Sequence, residues 1–155
     1  MEAAVLRMQA TVLQGYSREV MAADNLDAVV SITFQALVAL FRVPAVVILI
    51  ADGRVISINR NGDIEPDQAE LDAAQSALAT GTVLRGGVYP HLASRFDFWP
   101  VQTTKSQAAV IGLAFDPDER PPAPDTPVTI VASLLALVLD RQHGPDRSAS
   151  KSITI

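Results

Sequence analysis

His91, Ser94 and Asp97 bring an imidazole, a hydroxyl and a carboxylate into one segment, the second and third standing three and six residues after the first. Those are the groups of nucleophilic catalysis, but a triad is defined by its geometry in space, so this spacing alone predicts no activity. Gly86-Gly87 lacks the Gly-x-x-x-x-Gly-Lys spacing of a phosphate cradle, and no strand runs directly from it into a helix. No Gly-x-Ser-x-Gly elbow is present. The acids of the proline-rich run Asp116 to Asp125 lack the regular alternation of oxygen ligands that a calcium loop needs, and they read as a solvated connector. Cysteine is absent, which removes disulfides, thiol catalysis and zinc–thiolate sites. The chemistry-bearing residues therefore predict no enzyme, no metal site and no cofactor.

The chain has 155 residues, enough for one domain with a proper core and too few for two. Apolar residues make up 49%, which excludes disorder as the main state. The net charge of −5 comes without any basic cluster, so nucleic acid is not an expected partner. Residues 1–22 mix charges into an apolar pattern and are no signal peptide. The longest apolar stretch, Ile130 to Leu139, is far short of the roughly 20 residues of a membrane span, so no insertion is expected.

The elements follow from hydrophobic spacing and turn residues. Leu6, Leu13 and Val20 recur every seven residues along a first helix. That spacing suits a seam for a partner helix, and it equally suits one face lying on the chain's own sheet. Asp24 is placed to cap a second helix that runs to about Phe41 and is too apolar for a single stripe, with Pro44 as the stop. Ala45–Ala51 is a β-branched run without alternation, hence a strand covered on both faces. Asp52-Gly53 makes a two-residue hairpin turn into Arg54–Asn59, a half-polar edge strand. Pro66 marks the first turn of a third helix with a narrow apolar face at Leu71, Ala74 and Leu78, and Gly81 ends it.

Gly81 to Arg95 is a long irregular loop, of the kind that often carries function. Phe96–Val101, a polar turn at 103–107 and Ala108–Phe115 form a further strand pair. Thr126-Pro127 then opens a last helix whose apolar residues surround it, Val131, Leu134 and Val138 among them. One sheet face cannot cover them all. A homodimer is therefore expected, with an interface at Leu6, Leu13, Val20, Val131, Leu134 and Val138. The division expected is 1–22 for a dimer helix, 23–142 for a core with its exit helix, and 143–155 for a polar tail.

This order of elements resembles a GAF domain, and more closely the GAF domain of Kdp-type sensor histidine kinases. The resemblance rests on Ala45-Val-Val-Ile-Leu-Ile, on Glu70-Leu-Asp-Ala-Ala-Gln-Ser-Ala-Leu-Ala-Thr-Gly81, on Trp99-Pro-Val with the Gly112-Leu strand, and on Val131 to Arg141. It covers about residues 3–142. It implies an α+β sandwich: an antiparallel sheet of five or six strands, with the N- and C-terminal helices on one face and a short helix plus loop on the other.

It also implies a cytoplasmic sensory or regulatory part of a two-component kinase concerned with potassium. Such a domain binds a small molecule or relays a signal through its helices. The alternative is a ligandless homodimerisation module or spacer. Family members bind small molecules between sheet and loop. That position corresponds to Arg85, Tyr89, His91, Arg95 and Trp99, the two arginines suiting an anion. For each the plainer role also stands: surface solubility for the arginines, loop packing for Tyr89 and His91, core filling for Trp99.

Several family features are missing. There is no cysteine for a bilin. Asn59-Arg-Asn-Gly-Asp63 does not match the Asn-Lys-x-x-Phe-Asp-Glu signature of cyclic-nucleotide GAF domains. Arg85-Gly-Gly-Val-Tyr-Pro-His keeps only half of the Kdp-type pattern after Gly81. No phosphoacceptor helix or ATP lid lies within the chain.

Overall fold

The computed structural model describes residues 2–87, 94–121 and 123–143. Helices α1 (Glu2–Met21) and α2 (Leu26–Phe41) are followed by strands β1 (Ala45–Ala51) and β2 (Arg54–Asn61) and helix α3 (Gln68–Thr80). Strands β3 (Asp97–Val101) and β4 (Gln107–Leu113), a 3-10 turn at Pro117–Glu119 and helix α4 (Asp125–His143) complete the order. The sheet is antiparallel throughout, in the order β2-β1-β4-β3. Ala45–Ala51 and the 108–113 run are thus adjacent central strands, and β2 is an edge, as their polarity requires.

Among the described residues the sheet has four strands rather than five or six. A single bridge stands beside β3, where Leu84 and Phe98 exchange backbone hydrogen bonds of 3.0 and 2.8 Å. The loop touches the sheet edge with one residue and does not extend into a strand.

Pleat alternation splits the core in two. Val47, Leu49, Trp99, Ala109 and Ile111 face the layer of α2 and α4, while Val46, Ile48, Ile50, Phe98 and Val110 face α3. Helices α2 and α4 lie on the sheet and α1 packs across both, so α1 forms an outer layer beyond them. The buried face of α3 is made of alanines, Ala73, Ala74 and Ala77, with Leu71 and Leu78 only partly covered. Small side chains let this helix come close to β3 and β4. Gly112 serves the same end within the sheet: a Cβ there would lie 2.7 Å from Val46 Cγ2 and 2.8 Å from Phe98 Cε1.

Local signals held, with shifts of a residue or so. Asp52 and Gly53 both take positive φ (54° and 78°), the primed hairpin turn expected of that pair. The cap of α2 is Asn25, whose side chain accepts from the Ala28 N–H at 2.8 Å, and not Asp24. Arg42, in a left-handed conformation, ends α2 two residues before Pro44. Asp67 caps α3 in place of a start at Pro66, and Gly81 ends it as expected. Helix α4 begins at Asp125, just ahead of the Thr126-Pro127 start.

Helix α1 is anchored by Tyr16. Its hydroxyl donates to Thr33 Oγ1 at 2.9 Å, and that hydroxyl donates onward to the Val29 carbonyl at 2.8 Å. Burial pushes the Tyr16 hydroxyl up from the usual 10.0 to about 12, a rise that the Thr33 hydrogen bond partly opposes. Because the folded state holds this proton more tightly, its contribution to stability is complete below pH 10 and drains away as pH rises toward 12.

Two outcomes are expected. Gly112→Ala should lower stability by about 1–3 kcal/mol in denaturant unfolding, because both clashing groups are central core. Tyr16→Phe should cost about 1 kcal/mol at neutral pH. It should also remove the late-ionising phenol from a spectrophotometric titration and flatten the loss of melting temperature above pH 10.

Candidate functional site

Two buried carboxylates organise the end of the molecule that carries the irregular loop. Asp97 opens β3 between Phe96 and Phe98, with its side chain only 1% exposed. Its Oδ1 accepts the Gly86 N–H at 2.8 Å; its Oδ2 accepts from the Arg120 guanidinium and, at 3.5 Å, from Arg85 Nη1. Arg85 Nη2 donates to Asp125 Oδ2 at 2.5 Å, and the indole N–H of Trp99 donates to Asp125 Oδ1 at 3.0 Å. Two guanidiniums and two carboxylates therefore tie the 81–87 segment, β3, the 116–121 loop and the first residue of α4 into one charge-balanced network.

The second carboxylate is Glu70, also 1% exposed. It forms a capping box with Asp67, each side chain accepting the other's backbone N–H at 2.9–3.0 Å. Arg95 completes the site: its N–H and Nε reach Glu70 Oε2 at 2.6 and 3.1 Å, and its Nη2 reaches Oε1 at 2.7 Å. Burial alone would push the Glu70 carboxyl up, but the hydrogen bonds and charge of Arg95 and the Asp67 N–H outweigh it and hold it below 4.5.

Between these anchors the loop neck is tight. A Cβ on Gly86 would stand 2.5 Å from the Phe96 carbonyl oxygen and 2.6 Å from that of Ser94, so only glycine lets the two ends of the loop meet. A pocket of about 760 Å³ lies alongside, its wall including Ile64, Gly86, Arg95, Phe115 and Arg120.

Of the residues expected to hold a ligand, Arg85 and Trp99 are brought together through Asp125, while Arg95 sits on the α3 side against Glu70. Tyr89 and His91 lie outside the described residues, as does the tail from 144. Neither arginine is a free cation. An anion entering at Arg95 would have to displace the buried Glu70 carboxylate and leave it without its arginine, which is unfavourable. At Arg85 it would compete with half-exposed Asp125 and with the 3.5 Å contact to buried Asp97. Trp99 is 1% exposed and belongs to the core. Of the expected dimer residues, Val20, Val131 and Val138 are wholly buried within the chain and are not available to a partner. Leu13 and Leu134 are half-buried, and Leu6 is exposed. The apolar surface left open on the two helices is Val5, Leu6 and Met8 on α1 with Ile130 and Leu137 on α4.

Sequence reading missed Asp97, Asp125, Arg120 and Glu70 as site residues. The signals were there: a lone acid between two phenylalanines must find partners when buried, and Asp67-x-x-Glu70 is a capping-box spacing. Among the described residues no group of three or more His, Asp or Glu side chains is placed to hold a metal. No helix among them is long and apolar enough to cross a membrane.

The fold these elements make is GAF-like. Among solved structures, the chain is similar to the native GAF domain of the potassium sensor histidine kinase KdpD from Escherichia coli. The TM-score is 0.72 at 15% identity, over 90% of this chain and 99% of that one. At that identity the likeness establishes the architecture. No family model matches the chain, and no curated protein matches it.

Removing either buried anchor should be costly. Asp97→Asn leaves two arginines short of a charge. It should cost about 1–3 kcal/mol, below the 3–5 of a fully enclosed pair because both guanidiniums reach solvent. Arg85→Ala and Arg95→Ala should likewise destabilise, contrary to a purely surface role. Glu70 contributes stability that is complete above its unfolded value of about 4.5 and lost as pH falls through its depressed folded one. Glu70→Gln should therefore weaken the fold at pH 7 and flatten its acid unfolding curve.

Proposed function

We propose that this chain is a regulatory GAF domain of a Kdp-type sensor histidine kinase, working in the cytoplasm and passing a conformational signal from the loop end and the entry helix α1 to the exit helix α4. The observation that carries this reading is the position of α4. Its first residue, Asp125, is tied to the loop by Arg85 and to the sheet by Trp99. Near its other end, Arg141 donates to the Met21 carbonyl at 2.8 Å, joining it to the end of α1. A shift of the loop or of α1 is thereby felt by α4, whose exposed Ile130 and Leu137, with Leu6 of α1, offer a homodimer surface. The ligand of such a domain, if it enters the 760 Å³ pocket, is a small molecule without net negative charge, since the flanking arginines are already neutralised.

The ligandless relay is favoured by that same neutralisation. Native mass spectrometry of protein purified from its own cells separates the two: a retained small molecule supports sensing, and a bare dimer supports the relay. In sedimentation at tens of micromolar, a dimer is expected that Leu137→Asp and Leu6→Asp break without unfolding the chain, because both positions are exposed. A bare monomer would sink both readings.

A further inference from the structure

Strand β2 ends the sheet, and among the described residues nothing pairs with its outer backbone edge. The opposite edge is managed differently: Leu84 bridges β3 there, and Pro100 has no N–H to offer. On β2 two isoleucines lie open, Ile56 at 52% and Ile58 at 40%, so this edge presents apolar surface at its centre. Ile56 is the extra residue of a bulge, since Leu49 pairs with Ser57 and Ile50 with Val55.

Beside this edge runs a groove of about 580 Å³ between α2 and β2, with Val30 and Phe34 on the helix wall and Ile58 and Asn59 on the strand wall. An open edge next to a groove is the geometry in which an added strand gains affinity from main-chain hydrogen bonds and specificity from alternate side chains.

Charge selects the occupant. Exposed Arg54 and Arg60 bracket the isoleucines. The partner that Arg60 has within the chain, Glu65, is 3.9 Å away with both side chains well exposed, an ion pair worth little. Asp27 lies on the helix side of the groove, which puts a ligand's acids at the strand ends. A second copy fits poorly: the antiparallel register that sets Ile56 against Ile58 of the copy also sets Arg54 against Arg60, twice, and like charges directly opposite are destabilising.

We propose that the β2 edge and the α2 groove form a docking site for an extended peptide strand of a partner protein, apolar at its centre and acidic at both ends.

The test is an NMR titration of the whole chain with the end-blocked heptapeptide Glu-Thr-Val-Thr-Val-Thr-Glu, and with the same peptide carrying Lys at both ends. Amide shifts are expected along 54–61 and 30–35, with the lysine peptide at least about tenfold weaker. Arg54→Glu with Arg60→Glu should reverse that preference while leaving the melting temperature unchanged, since both side chains are exposed. The proposal is overturned by an absence of shifts along β2 or by equal binding of the two peptides. It is also overturned by β2 amides already protected in a peptide-free dimer, which would make a second copy the occupant.

Discussion

The constraint on which the rest of the structure depends is burial of the central strands on both faces. Six of the seven residues of β1 are buried, and in β4 Ala109 to Leu113 are buried without interruption. Pleating sends alternate side chains to opposite sides, so each side needs its own cover. One face is covered by α2 and α4 with leucine, valine and aromatic side chains. The other is covered by α3 through alanines, which demands close approach and makes Gly112 a packing residue. Helix α1 then lies on helices rather than on the sheet. Its docking relies on Val20 and on the Tyr16–Thr33–Val29 hydrogen-bond chain, and its first turns remain exposed.

A second constraint is electrostatic. Burying Asp97 and Glu70 to 1% exposure is tolerable only because each has arginine and backbone N–H donors within reach. The donors come from distant parts of the chain. Arg85 and Arg120 converge on Asp97, and Arg95 reaches back to Glu70. The irregular loop is therefore fixed at its neck by charge and by Gly86, and it is fixed to the same residue that opens α4. Arg85 and Arg95, which the family resemblance offers to a ligand, are held as structural cations.

Particular residues mark how far the sequence could be read. Asp52-Gly53 wrote its own hairpin, and Gly81 its own helix end, because positive φ is a local property. The continuous apolar run of β1 announced two-sided burial, and the polar half of β2 announced an edge. The cap of α2 fell on Asn25, one residue from Asp24, because both can cap and backbone geometry picks between them. Helix α3 starts at Gln68, two residues after Pro66, because Asp67 caps it through the box with Glu70. The segment read as an irregular loop adds one bridging residue to the sheet, Leu84, and goes no further because the neighbouring backbone at Gly86 is held by Asp97 instead of by a ladder.

By itself, then, the sequence determined the elements, their order, the two-sided core and the architecture, since these follow from periodicity and turn chemistry over short windows. It also determined the absence of thiol chemistry. Only the tertiary structure decided what the charged and apolar side chains do. Leu6 and Val20 share one seven-residue pattern, yet one is exposed and the other buried, because α2 and α4 cover only the later turns of α1. Arg85 and Arg95 read as free surface cations until residues 12 and 25 positions away brought carboxylates to them. Such pairings join segments distant in the chain, and no local pattern encodes a distance between them.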